Sequence, residues 1–262
     1  MEIIDTHCHL DVADFDADRN KILQQCRSQG INRIVIPAIQ AETWHNILGL
    51  CSSEKGLYPA LGLHPVFINQ HQVDDLDKLE KILESVSPVA IGEIGLDFYI
   101  KELDQQQQIH LFEAQLQIAR NHNLPVILHV RKAHDQVLQL LKKNQVKGGF
   151  SHAFNGSLQQ AKQYIEMGFK LGFGGTLTYK NSTKIHTLAK LLPLESIVLE
   201  TDAPDMVVES HRGQRNSPEY IMESLIALAK IRDEDVEVIA KQTTQNAHEV
   251  INFSDYDRQR TN

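Results

Sequence analysis

Residues 2–11 read EIIDTHCHLD, an apolar run that leads into two histidines separated by one residue. The run from Glu2 to Asp5 is short and rich in branched aliphatic residues, which predicts a β-strand. His7 and His9 follow it. Because alternate residues of an extended segment point to the same side, both imidazoles can reach one cation. A single H-x-H pair is a weak signal, so its meaning depends on the rest of the chain.

Strands of the same kind recur along the sequence. The further predicted strands are Arg33 to Pro37, Leu57 to Leu61, Val89 to Gly92, Val126 to His129, Gly149 to Ser151, Lys170 to Gly172 and Ile197 to Glu200. The segments between them carry apolar residues at every third or fourth position, which predicts helices. This alternation favours parallel βα units over hairpins. It predicts an α/β protein with a (β/α)8 TIM barrel, and a doubly wound open sheet is the alternative.

One domain over residues 1–262 accounts for the whole chain, because no linker, repeat or low-complexity tract interrupts the alternation of predicted strands and helices. Hydrophobic residues make up 42% and charged residues 23%, which is enough apolar material for a large core. Two helical segments, Pro218 to about Lys230 and Glu234 to about Val250, lie within 217–250. We expect them to seal the barrel.

The charge and the cysteines exclude several classes of protein. A formal net charge of -8 works against broad adhesion to duplex nucleic acid, so a phosphate substrate would need local positive charge such as metal ions. Three irregularly spaced cysteines do not predict a disulfide framework or a cysteine zinc site. No long apolar stretch or leader pattern is present, so we expect a cytoplasmic protein without membrane association or an obligate protein partner.

Potential metal ligands lie at the carboxyl ends of the predicted strands, where βα barrels form their active sites. They are His7, His9, Glu93, His129, His152 and Asp202. Six such groups suffice for two divalent cations that share a ligand. Glu93 is the predicted bridge because a carboxylate offers one oxygen to each ion. One ion is assigned to His7, His9, Glu93 and Asp202, and the other to Glu93, His129 and His152. Zn, Mn or Mg would suit this set.

Asp202 and Glu93 are the predicted catalytic residues. Asp202 could hold a metal and also take a proton from water that the metals activate. His64 could contact substrate or shape a turn before a proline, and Arg131 offers a cation to an anionic substrate. Asp97, Tyr99, Arg212 and Arg215 either border the cleft or serve in capping, packing and solvated loops.

Six segments resemble, in order, the motifs of the TatD family of metal-dependent deoxyribonucleases, within the amidohydrolase-like barrels. They are DTHCHLD (5–11), GLHP (62–65), AIGEIGLDFY (90–99), LHVRKA (128–133), SHAFNG (151–156) and ETDAP (200–204). The resemblance spans nearly the whole length. It implies divalent metal binding at the same six residues, with Glu93 in place of the carboxylated lysine of many related barrels. It also implies phosphodiester hydrolysis, described for the family as trimming of DNA from the 3′ end.

Three functions remain to be compared at this point. The leading hypothesis is a metal-dependent deoxyribonuclease, 3′ to 5′ exonuclease-like, that acts on DNA or a small phosphodiester through a metal-activated hydroxide. The second is a two-metal hydrolase of carboxylic esters or amides, including aminoacyl-ester removal from nucleic acid. The third is a non-catalytic metal-binding protein.

Overall fold

Eight parallel strands form the centre of the protein, whose computed structural model describes residues 1–259. The strands are β1 (Ile3–Asp5), β2 (Ile31–Pro37), β3 (Leu57–Leu61), β4 (Ala90–Asp97), β5 (Val126–Arg131), β6 (Gly149–Ser151), β7 (Phe169–Phe173) and β8 (Ile197–Leu199). They pair in chain order from β1 to β8. The backbone N–H of Thr6 donates to Leu199 O at 3.1 Å and joins the two ends of the sheet. The predicted barrel is therefore confirmed, and the doubly wound alternative is wrong because the strand order never reverses.

Helices follow the strands and cover the barrel. They are α1 (Arg19–Ser28), α2 (Trp44–Ser53), α3 (Asp75–Leu83), α4 (Gln105–Asn121), α5 (His134–Asn144), α6 (Leu158–Glu166), α7 (Thr183–Leu191), α8 (Ile221–Arg232), α9 (Val236–Val250) and α10 (Phe253–Gln259). Short 3-10 turns, including Pro65–Phe67 and Pro218–Tyr220, lie in the connections. No helix within residues 1–259 combines the length and apolar character needed to cross a bilayer.

Side chains satisfy the first backbone N–H groups of helices α4, α6 and α9. Asp104 accepts hydrogen bonds from the N–H groups of Gln106 and Gln107 at the start of α4. Ser157 and Gln160 form a reciprocal capping box at the start of α6. Such caps stabilise a helix terminus by about 1 kcal/mol.

Alternate strand residues build two apolar layers because side chains of a strand point to opposite faces. Ile3 and Ile34 belong to the large layer between the strands and the helices. Ile4 and Val35 belong to a second cluster, which also contains Phe253 from the C-terminal segment. The C-terminal segment after α8 thus packs against apolar side chains of the barrel strands. Residues 260–262 of the predicted domain lie outside the described residues.

Strand β4 is longer than the sequence predicted, and this changes the position of Glu93. The predicted strand ended at Gly92, but β4 continues to Asp97 because Ile94–Asp97 pairs with Leu128–Arg131 of β5. An irregularity between Ile91 and Ile94 interrupts the register. Gly95 has φ of +146°, and a Cβ there would stand 2.0 Å from the carbonyl oxygen of His129. A side chain would block this close approach, so glycine is required.

Candidate metal centre

The six predicted metal ligands converge at the carboxyl end of the barrel. His7 and His9 follow β1, Glu93 and His129 lie within β4 and β5, His152 follows β6, and Asp202 follows β8. They border one cavity of about 320 Å³, except for His7, which lies buried beneath it. Side chains from residues up to 195 positions apart in the chain therefore lie together at one end of the barrel.

Glu93 lies between two pairs of imidazoles. Its Oε2 is 3.1 Å from His7 Nε2 and 3.5 Å from His9 Nε2. Its Oε1 is 3.1 Å from His129 Nδ1 and 3.3 Å from His64 Nε2. The side chain is buried. Each carboxylate oxygen thus faces a different pair of nitrogen atoms, which is the arrangement expected of a ligand shared by two cations.

Asp202 closes the other side of the site. Its Oδ1 lies 3.6 Å from His7 Nε2 and 3.7 Å from His9 Nε2, and its Oδ2 lies 3.6 Å from His152 Nε2. The backbone N–H of Asp202 donates to His7 O at 2.9 Å, so the loop after β8 is tied to the loop after β1. Burial raises the pKa of Asp202 to about 6.

Three groups of side chains place ligand atoms within 4.8 Å of one another. They are His7 with Glu93 and His152, His7 with His9 and Asp202, and His64 with Glu93 and His129. Within residues 1–259, no such group joins His129 to His152, although the sequence assigned both to one ion. His64 takes the position beside His129 instead. The residue predicted to bind substrate is therefore also a candidate metal ligand.

The charge states of the imidazoles differ with their surroundings. Burial lowers the pKa of His64 to about 4 and holds the pKa of His7 well below its ordinary value. Burial also opposes the charged form of His9 and His152, but nearby carboxylates outweigh it and raise their pKa values to about 9 and about 10. Burial likewise opposes ionisation of Glu93, yet the surrounding imidazoles hold its pKa well below the usual range. Glu93 is therefore ionised at neutral pH.

The donor set of this site fits divalent metal ions. His7 Nε2 and His9 Nε2 approach to 3.3 Å, so two nitrogen donors converge on one point. Glu93 and Asp202 add carboxylate oxygens around the same point. Imidazole nitrogen combined with carboxylate oxygen suits Zn or Mn, and Mg where phosphate oxygens complete the ligand shell. A cation here would offset the repulsion between the two carboxylates.

Two carboxylates outside the predicted ligand set contact its histidines. The sequence indicated no role for Glu200 and left Asp97 open between bordering the cleft and capping a helix. Glu200 is buried, with Oε1 3.0 Å from His152 Nδ1 and accepting a hydrogen bond from the Ala153 N–H at 2.6 Å. Asp97 Oδ2 lies 3.0 Å from His129 Nε2. Carboxylates in such positions orient metal-binding imidazoles and raise their basicity. Glu200 precedes Asp202 by two residues, so the alternation of a strand was an available signal for it.

Two arginines near the barrel mouth have different surroundings. The guanidinium of Arg131 lies 3.7 Å above the ring centre of Tyr99, and Nη1 is 4.0 Å from Asp97 Oδ2. Its side chain is 48% exposed, so it remains accessible to an anion. Arg215 instead makes hydrogen bonds of 3.0 and 2.7 Å to the Asp18 carboxylate. Its charge is therefore used to hold the loop after β8.

Comparison with known proteins decides the family. A family model described as TatD related DNase matches residues 4–252. The chain belongs to the TatD family. It is 39% identical over 252 residues to the uncharacterised metal-dependent hydrolase YjjV of Escherichia coli K12, covering 95% of this chain and 97% of that protein. The crystal structure of YjjV, a TatD homologue, superposes with a TM-score of 0.92 and covers 95% of this chain and 98% of its own.

A second relative has a more specific name. The 3′-5′ ssDNA/RNA exonuclease TatD of Erwinia amylovora is 29% identical over 253 residues, covering 94% of this chain and 98% of that protein. The resemblance seen in the sequence is confirmed. This chain is a metal-dependent hydrolase of the TatD family. The alternative of a non-catalytic metal-binding protein is therefore set aside.

Proposed function

We propose that this protein is a deoxyribonuclease that uses two divalent ions to remove nucleotides from the 3′ end of single-stranded DNA. The observation that carries the proposal is the division of the Glu93 oxygens, because Oε2 faces His7 and Oε1 faces His129, each at 3.1 Å. Two-metal sites are typical of enzymes that cleave phosphodiester bonds. The name of the Erwinia amylovora relative supports the choice of DNA and of the 3′ end.

The proposed ligands divide into two sets that share Glu93. His7, His9 and Asp202 would hold one ion, and His129 with His152 would hold the other. His64, which lies beside His129, is the alternative ligand for the second ion. When bound, the ions would activate water and neutralise charge on the phosphate. Glu200 and Asp97 orient His152 and His129 from behind, at 3.0 Å in each case.

The residues of the chain would then move a proton and position the phosphate. An Asp202 carboxylate whose pKa is about 6 is largely ionised at neutral pH and can accept a proton on Oδ1 or Oδ2. Arg131 projects an accessible guanidinium from the end of β5 and would pair with a phosphate oxygen. Because the chain has a net charge of -8, attraction to DNA would be confined to this local site.

The deciding experiment is digestion of single-stranded DNA labelled at the 5′ end, with Mg, Mn or Zn supplied separately. We expect a ladder of labelled products that shorten by one nucleotide at a time, and the same strand labelled at the 3′ end should release its label at once. Glu93→Gln is the inactive control. Glu84→Gln, at an exposed glutamate directly after α3, is the matched active control. If folded protein fails to shorten DNA with each of the three metals, the proposal is overturned. Turnover of carboxylic esters by that protein would then favour the ester hydrolase alternative.

A further inference from the structure

An apolar surface adjoins the polar side chains of the candidate metal centre. It consists of Val12, Ile39, Val66, Phe67 and Pro204, which we call the apolar shelf. All five side chains are partly exposed and line the same cavity of about 320 Å³ as His9, Glu93 and Asp202. The cavity therefore has two chemically different parts, one of them built from imidazoles and carboxylates and the other from hydrocarbon.

Phe67 is positioned on this shelf by a short turn. It ends the 3-10 turn Pro65–Phe67, and the Val66 N–H donates to His64 Nδ1 at 3.1 Å at the beginning of that turn. The Phe67 ring lies 5.9 Å from the His64 ring, centre to centre, in an edge-on arrangement. The Gln70 N–H donates to Phe67 O at 2.8 Å and fixes the turn from its far side. One short turn thus positions an aromatic face and a histidine of the metal centre together.

The size and polarity of the cavity define what could fill both parts. Its volume lies near the lower end of the range for small-molecule sites, about 300–1,000 Å³, so it has room for one nucleotide and not for a run of them. A nucleotide joins an anionic phosphate to a flat, largely apolar base. The phosphate matches the metal centre, and every base offers a π face to an aromatic or aliphatic surface.

We propose that the apolar shelf binds the nucleobase of the terminal nucleotide while its phosphate lies at the metal centre. This inference rests on the proposed nuclease function and deepens it, because it makes the terminal nucleotide the unit of recognition. Stacking tolerates all four bases, so recognition would depend on the presence of a base and little on its identity. It also explains how an acidic protein could hold DNA without a long basic groove.

The test compares a nucleotide with the sugar phosphate that lacks its base. Binding of deoxyadenosine 5′-monophosphate and of 2-deoxyribose 5-phosphate is measured by calorimetry on protein supplied with Mn²⁺. We expect wild-type protein to favour the nucleotide by at least about tenfold, which is the lower part of the range for stacking one base. Phe67→Ala should lose most of this preference without changing the affinity for the sugar phosphate, and Phe67→Trp should keep it. Leu191→Ala, at an exposed apolar residue on α7, is the matched control.

The kinetic counterpart uses single-stranded DNA that ends in an ordinary or an abasic 3′ residue. Wild-type protein should show a lower KM for the ordinary end, and Phe67→Ala should treat the two ends alike. If wild-type protein cleaves both kinds of end with the same KM, base binding at the apolar shelf is overturned and the proposed nuclease function is unaffected. If wild-type protein cleaves neither end but its calorimetric preference for the nucleotide is lost in Phe67→Ala, the nuclease function is overturned and base binding at the apolar shelf is supported. Equal wild-type binding of both probes would overturn the shelf whatever the activity.

Discussion

Asp5 and Thr201 are joined across the seam between the first and last strands of the barrel. The Asp5 carboxylate accepts hydrogen bonds from the Thr201 N–H at 3.0 Å and from its hydroxyl at 2.6 Å. The His7 N–H donates to the same carboxylate at 3.2 Å. Asp5 is fully buried, and Thr201 is the neighbour of Asp202. This contact therefore positions two predicted metal ligands as well as closing the sheet.

Two substitutions of Asp5 should show how much the hydrogen bonds that it accepts contribute to the free energy of unfolding. Asp5→Ala leaves two buried N–H groups without a partner, and we expect a loss of about 3 kcal/mol in the free energy of unfolding. Asp5→Asn keeps an oxygen that accepts from both N–H groups, and its Nδ2 can donate to the Thr201 hydroxyl, which turns to accept. We expect it to cost less than about 1 kcal/mol. Urea denaturation measures both values. Equal losses in the two variants would contradict the stabilising role of Asp5 as a hydrogen-bond acceptor.

Glu93→Gln should weaken the binding of both ions, because it removes the charge that the two ligand sets share. We expect the affinity of each ion to fall by about 100-fold or more, since two cations would then repel each other with less compensation. Metal content after dialysis, measured by mass spectrometry, is the readout. Glu84→Gln, at an exposed position, should keep the wild-type content. A Glu93→Gln protein with full metal content would refute the bridge.

The barrel was predictable from the sequence because each strand is a compact apolar run, and parallel strands bring their carboxyl ends together. The end of β4 was not predictable in the same way, since the glycines of GEIGLD give no strand signal while the backbone still pairs with β5. The division of the histidines into groups was also beyond the sequence. It depends on side-chain directions, which place His64 beside His129 and stack His152 on His7 with ring centres 3.8 Å apart.

His64 and His152 can be distinguished by counting ions. If the predicted assignment holds, His152→Ala should retain about one ion per chain, whereas His64→Ala should retain two and show a raised KM for DNA. The reason for testing both is that Glu93, His129 and His64 form a compact group without His152. Loss of an ion from His64→Ala with full retention in His152→Ala would exchange the roles of the two histidines.

Asp202→Asn should fold and bind metal at reduced affinity but lose most of its turnover. Loss of a positioned base costs about 100-fold or more, because the amide cannot accept the proton. Single-turnover rates at saturating metal separate this effect from weaker metal binding. The thermal midpoint should stay close to the wild-type value, since the hydrogen bond from the Asp202 N–H to His7 O does not involve the side chain. Wild-type rates would remove Asp202 from the role of base.

Glu200→Gln tests whether the carboxylate behind His152 contributes to the metal centre. Its Oε1 is 3.0 Å from His152 Nδ1, and Gly172 leaves room for the carboxylate, since a Cβ there would stand 2.0 Å from Glu200 Oε2. Partners of this kind typically contribute 10–100-fold to metal affinity or activity, so we expect a loss of about that size with little change in stability. Glu195→Gln, five residues earlier and exposed, is the control. A Glu200→Gln protein that matched the control in metal affinity would show that the carboxylate only fills space beneath His152.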